Sequence, residues 1–197
     1  MKSGAVLLML VSVCSLACNT AAPPKSVAEV AATKANLPNA TPSPDEQAVA
    51  SALEVPIEKF DGASFKLADF RGKVTVVDFW RSDCGPCVKM VPKLARISKQ
   101  YRDQGVEVIG LTSEEKSTQT SVSNFLKKAG ADYIVGYDNR WMSSAFLKGT
   151  EDETGLPPIP QVFVLSRDGR VIEHLIGDHP FETMEQMIKT ALGPAAK

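Results

Sequence analysis

The stretch KVTVVDFWRSDCGPC, from Lys73 to Cys87, places the tightest constraint on how this chain can fold. Lys73 to Trp80 is a dense β-branched and aromatic run, the mark of a strand buried on both faces. Past the cysteines, Val88, Val91, Leu94, Ala95 and Tyr101 recur at helical spacing, while Lys89, Lys93, Arg96 and Lys99 fall on the other side. That pattern predicts an amphipathic helix. The two cysteines therefore sit at a strand-to-helix junction. Cys84 lands on the first helical turn, where unpaired backbone N–H groups and the helix dipole stabilise a thiolate, and Pro86 suits an early helical position. Cys87, about one turn further on, lies beneath it and is placed to resolve a mixed disulfide. Gly85 and Pro86, between the sulfurs, are the expected point of substrate contact.

The rest of the chain from Leu53 onward alternates between strand and helix patterns. Val106 to Thr112 reads as a second buried strand. Val122, Phe125, Leu126 and Ala129 form a helical stripe that stops at Gly130, and Met184, Met187, Ile188, Ala191 and Leu192 form another near the end. Asp61-Gly62 and Asp168-Gly169 are tight-turn signals between apolar runs, as in hairpins. Strands alternating with helices imply an α/β sandwich around a central, partly parallel sheet.

The first residues, MKSGAVLLMLVSVCSLAC, carry Lys2 and then an uncharged stretch ending in small residues, which reads as an export signal over 1–18. It is too short for a mature membrane span, which needs about 20 apolar residues. Ser15-Leu16-Ala17-Cys18 resembles the lipobox of bacterial lipoproteins, in which the cysteine becomes a lipidated N-terminus; Ser15 stands where a Leu is expected. Two outcomes stay open: a lipid anchor on Cys18, or cleavage near Ala21 or Ala22 releasing a soluble periplasmic protein. Residues 19–52, rich in Ala, Pro, Thr and Ser, read as a disordered linker with a reach of roughly 30 Å, and the pattern at 45–54 leaves a helical turn or two undecided. The globular domain is expected over 53–197. Of four cysteines, only Cys84 and Cys87 remain in that domain, so in an oxidising compartment they pair with each other or with a second molecule. The net charge of −1 and the lack of basic runs interleaved with aromatics speak against a nucleic-acid partner.

Three segments together carry a resemblance: RGKVTVVDFW leading into CGPC, Pro92 five residues beyond it, and IPQVFVLSRDG at 159–169. Over residues 53 to 193 the chain resembles the thioredoxin superfamily, and within it the exported TlpA/ResA-type thiol-disulfide reductases. The resemblance implies a thioredoxin-like three-layer α/β sandwich with a central mixed sheet, an N-terminal β-hairpin and an inserted helix-strand unit over 117–136. It implies that Asp78 is the buried carboxylate handling the proton of the resolving cysteine. A lone acid in so apolar a run should independently have a raised pKa. It also implies that Pro160 is a cis-proline facing the disulfide, with Ile159 before it, their backbone binding an extended substrate segment by strand-like hydrogen bonds. Protein disulfides would be the substrates, apocytochrome c or copper-site cysteines among them. A membrane partner would supply electrons, and no cofactor is expected beyond the redox-active disulfide Cys84–Cys87.

Two positions depart from that family: Asp83 stands where a Trp usually precedes the first cysteine, and Met90 where many exported members carry a Glu. Trp80 and Asp83 are then the candidate substrate contacts beside the dithiol, with a second reading in which Trp80 packs at the strand end and does not replace the missing aromatic surface. A bare charge at Asp83, some 7 Å from the sulfur, would disfavour the thiolate by about 1 kcal/mol at an intermediate dielectric and so favour a reductant. The competing reading has Asp83 capping the helix and Arg81 neutralising it. Two other functions fit the same cysteines. One is a Cu(I) chaperone, which lacks an evident third ligand; the other is a peroxiredoxin-like peroxidase, for which Ser82 lies two residues before Cys84 with no matching Pro. His174, in the strand pattern VIEHLI, and His179, in a loop, read as packing or surface residues rather than zinc ligands. The acidic run Glu151-Asp152-Glu153 reads as a solvated loop.

Overall fold

The structure, a computed structural model, describes residues 43–194. The export signal over 1–18, Cys18 and the linker from 19 to 42 lie outside the described residues. In chain order the elements are α1 (Pro44–Ala52), β1 (Ile57–Glu58), β2 (Ser64–Phe65), β3 (Val74–Trp80), α2 (Gly85–Tyr101) and β4 (Val106–Thr112). There follow α3 (Gln119–Lys128), β5 (Ile134–Tyr137), α4 (Arg140–Phe146), β6 (Gln161–Leu165), β7 (Val171–Ile176) and α5 (Phe181–Leu192).

Five strands form one mixed sheet in the order β5-β4-β3-β6-β7, with β3, β4 and β5 parallel and β6 and β7 antiparallel to their neighbours. β3 is central, and all seven of its residues are buried, as its unbroken apolar run requires. Val74 and Val76 face α2 and α5, packing on Met90, Leu94 and Ile188. Val77 and Phe79 face the opposite layer, with Leu53, Ile57, Met142 and Phe146. These are the three layers of a thioredoxin-like sandwich. The β1–β2 hairpin turns through Asp61-Gly62, and α3 and β5 supply the inserted helix-strand unit, ending at Tyr137. The β6–β7 turn needs Gly169, whose φ of 88° belongs to the left-handed region and where a Cβ would lie 2.7 Å from Leu53.

The domain begins earlier than the predicted boundary at 53. Residues 44–52, placed above in the linker with a helical turn or two left open over 45–54, are α1, which packs on α4 and buries Ala52 while leading into buried Leu53. The signal is Ser43-Pro44-Asp45-Glu46: Ser43 caps the helix, its N–H donates to Glu46 Oε2 (2.6 Å) and its hydroxyl accepts from the Glu46 N–H (3.2 Å). An Ala- and Pro-rich composition hid a capping box.

Candidate active site

β3 ends at Trp80 and α2 starts at Gly85, so the chain turns through Arg81-Ser82-Asp83-Cys84. Glu114, in the loop after β4, holds that turn: the Ser82 N–H and hydroxyl both donate to Glu114 Oε1 at 2.6 Å. Burial opposes ionisation of Glu114, but the hydrogen bonds from Ser82 and Thr118 outweigh it and hold the carboxyl below its ordinary value. Cys84 is the N-cap of α2, its Sγ accepting from the Cys87 N–H at 3.2 Å. Here a sulfur takes the place of the usual capping oxygen. Cys84 and Cys87 are joined as a disulfide. Cys84 is partly open to solvent, flanked by exposed Gly85 and Pro86, whereas Cys87 is wholly buried. Only one of the two sulfurs can be reached from outside.

The Ile159–Pro160 peptide is cis, and Ile159 O lies 3.6 Å from Cys84 Sγ. Pro160 leads directly into β6 at the end of the sheet where β3 stops, since β6 runs antiparallel to β3 with Phe79 opposite Gln161. The dithiol and the proline loop thus meet across one sheet edge.

Asp78 is fully buried on β3, one alternation below Trp80 on the face towards α2. Neither carboxyl oxygen has a hydrogen-bond partner, and burial pushes the pKa up to about 8. Two further buried polar atoms nearby are also unpartnered, Trp80 Nε1 and the Tyr133 hydroxyl. Burial raises the Tyr133 pKa first, and the charge of Asp78 adds to the rise. Gly110, opposite Asp78 on β4, makes this grouping possible: a Cβ there would lie 2.9 Å from Trp80 Nε1 and 3.3 Å from the Tyr133 ring.

Of the two expected substrate contacts beside the dithiol, one is placed elsewhere and the other stays at the surface. Trp80 is 1% exposed and packs with Cys87, Val91, Val122 and Leu126, its ring 6.2 Å from Phe125, so it cannot present a surface to a partner. It ends a strand buried on both faces, and its indole completes the core under the disulfide. Asp83 is exposed, but it does not cap α2. It forms a two-point pair with Arg81, Nε to Oδ1 at 2.8 Å and Nη2 to Oδ2 at 2.9 Å, and that hydrogen bonding holds its carboxyl below the ordinary value. The bare charge assumed above is therefore largely neutralised by its own neighbour. His174 stacks on Phe163 with ring centroids 4.1 Å apart, and His179 Nε2 lies 3.0 Å from Ile176 O, so neither is grouped with the cysteines. Glu151, Asp152 and Glu153 are exposed, as a solvated loop should be. Sequence reasoning missed Glu114, Tyr133 and Gln161. Gln161 alone left a trace, a polar residue inside the apolar run IPQVFVL; nothing in the local sequence marks Glu114 or Tyr133.

A thioredoxin-like sheet carrying a dithiol pair at its central strand-to-helix junction, with a proline loop against the outer sulfur, defines a class: the thiol-disulfide oxidoreductases. The Redoxin family profile matches residues 35–192, and the chain belongs to that family. It is 31% identical over 133 residues, 68% of this chain and 72% of the relative, to the thiol-disulfide oxidoreductase ResA of Bacillus thuringiensis (strain Al Hakam). It is 28% identical over 121 residues, 61% of this chain and 63% of the relative, to that of Bacillus subtilis (strain 168). Among solved structures it is similar to a thiol:disulfide interchange protein of the thioredoxin family from Chlorobium tepidum TLS. That match has a TM-score of 0.63 and 26% identity, over 79% of this chain and 99% of the other.

Proposed function

We propose that this enzyme reduces disulfides of proteins in the cell envelope. The Cys84 thiolate attacks one sulfur of the substrate disulfide, forming a Cys84–substrate mixed disulfide and releasing the other substrate sulfur as a thiolate. Cys87 passes its proton to the Asp78 carboxylate and attacks Cys84 Sγ; the second substrate thiolate leaves, and two electrons have moved from protein to substrate. The product is the Cys84–Cys87 disulfide, the state of this structure. What carries the reading is the asymmetry of the pair: an accessible Cys84 at a helix N-cap above a sealed Cys87, with unpartnered Asp78 in the same strand as the indole that packs on Cys87.

Export, a membrane electron donor, and a lipid on Cys18 complete the proposal; they rest on the N-terminal sequence and on resemblance to ResA-type proteins. Among the described residues no helix is long and apolar enough to cross a membrane. Apocytochrome c and copper-site cysteines are the candidate substrates. The copper-carrier reading needs both sulfurs open to an ion, whereas Cys84 and Cys87 are joined as a disulfide and Cys87 is buried. The peroxidase reading gains nothing from Ser82, whose hydroxyl is committed to Glu114. Insulin reduction by the purified protein with dithiothreitol tests the activity. Trapping on Cys87→Ser, which stalls the mixed disulfide, names the substrates. No turbidity from wild type and no trapped envelope protein would sink the proposal.

A further inference from the structure

On the side of the sheet away from α2, a second polar cluster touches the proline loop. Gln161, the residue after Pro160, is wholly buried, yet its amide is fully used. Its Nε2 donates to Thr150 Oγ1 and to Pro158 O, both at 2.8 Å, which spends both amide hydrogens. Thr150 in turn donates its hydroxyl to Leu147 O at 2.7 Å, so towards Gln161 it can only accept. Gln161 Oε1 therefore faces His174 Nε2 at 2.8 Å, and that nitrogen must carry the hydrogen. The directions of all four bonds are fixed by one another. His174 is held flat by its stack on Phe163, its register partner across β6 and β7.

This chain of bonds joins edge strand β7 to the segment 147–160, which has no strand or helix of its own and sets Ile159 O against Cys84 Sγ. Pro158 is one residue from Ile159 and Gln161 is one residue from Pro160, so the amide brackets the cis peptide from both sides. We propose that Gln161 is a positioning residue for disulfide exchange: it fixes the Ile159–Pro160 backbone against Cys84 as a docking edge for the substrate chain, and His174 fixes which way round its amide lies. The proposal rests on the oxidoreductase reading above. It adds that binding of a protein disulfide, rather than the sulfur chemistry, depends on a residue that touches neither sulfur.

Gln161→Glu tests it with almost no change of shape: the acid keeps an oxygen for His174 but has no N–H for Thr150 or Pro158. With insulin as substrate, KM should rise about tenfold while kcat stays within about twofold, the signature of lost binding that is shared by ground and transition states. Reduction of the Cys84–Cys87 disulfide by dithiothreitol, which needs no docked chain, should keep its wild-type rate. His174→Phe, which preserves a ring on Phe163 but removes the Nε2 hydrogen, should raise KM in the same sense by a smaller factor, and Thr150→Val should do likewise. Those two milder changes decide the matter if Gln161→Glu does not fold. Folded variants with wild-type KM, or a loss of dithiothreitol reactivity equal to the loss on insulin, would overturn the positioning role. A wild type that reduces no insulin would instead overturn the oxidoreductase reading on which it stands.

Discussion

Two buried polar clusters lie back to back across the central sheet, one residue apart in register, and they are built on opposite rules. Phe79 pairs with Gln161 and Asp78 with Val162. On the face towards α4, Gln161 has every amide hydrogen and its oxygen engaged. On the face towards α2, the Asp78 oxygens, Trp80 Nε1 and the Tyr133 hydroxyl engage nothing. A satisfied buried network holds atoms still, because any displacement strands a group that water cannot reach. An unsatisfied acid is held by no bond that a proton transfer must break, and its pKa of about 8 lies near the ordinary value of a free cysteine thiol. The difference teaches that the sheet carries a rigid, fully bonded cluster on one face and an unbonded acid on the other; under the mechanism proposed above, the first would hold the partner and the second would move the proton.

The largest expected break in that comparison comes from Asp78→Asn. Removing the base should slow attack by Cys87 about 100-fold, so that the mixed disulfide accumulates in rapid-quench experiments. In wild type that step should quicken with rising pH and level off above about 8, as the carboxyl ionises; the variant should lack the inflection. Stability should respond in the opposite sense. Folded Asp78 keeps its proton up to about pH 8, while the unfolded chain releases it near 3.8. Between those values the unfolded state binds fewer protons, so this group's contribution falls as pH rises, by about 1.4 kcal/mol per unit. Urea titrations from pH 4 to 8 should show that slope in wild type and lose it in Asp78→Asn.

Gly110→Ala should come next. The new methyl presses on Trp80 and the Tyr133 ring, and overpacking of this kind destabilises by about 1–3 kcal/mol, read as a lower denaturation midpoint. Tyr133→Phe should go the other way. It deletes a buried hydroxyl with no partner and should stabilise the fold by about 1 kcal/mol, while the comparable deletion of amide donors at Gln161 should destabilise it. If both changes destabilise, the two clusters do not differ as described. Asp83→Asn should have the smallest effect. It frees Arg81 beside Cys84, yet the pair is exposed, so the Cys84 thiol pKa should drop by less than about half a unit in an alkylation profile.

The pattern of legibility follows from where the information resides. The strand-to-helix junction at Cys84 was readable because burial of β3 and the amphipathic stripe of α2 are local periodicities. Asp78 was readable as an anomaly in an apolar run. Nearness to Cys84 in the chain does not separate Trp80 from Asp83: Trp80 ends a strand buried on both faces and lies in the core, whereas Asp83 stays exposed with its charge matched by Arg81 two residues away. Glu114, Tyr133 and Thr150 reach the site only through sheet order and loop closure, which no spacing in one sequence encodes. α1 stays undecided in the sequence for a different reason: its capping box is present, but a short alanine-rich helix reads like linker until tertiary packing on α4 is known. α4 escaped for the same reason, being only seven residues long.

The bond between Cys84 and Cys87 closes over a sequence separation of three residues. A ring that small restrains the denatured chain by only about 2 kcal/mol, far less than a cross-link joining distant segments. The catalyst therefore does not depend on its own reactive bond as a girder: that bond can open and close in each turnover while the sheet and helices bearing it stay assembled.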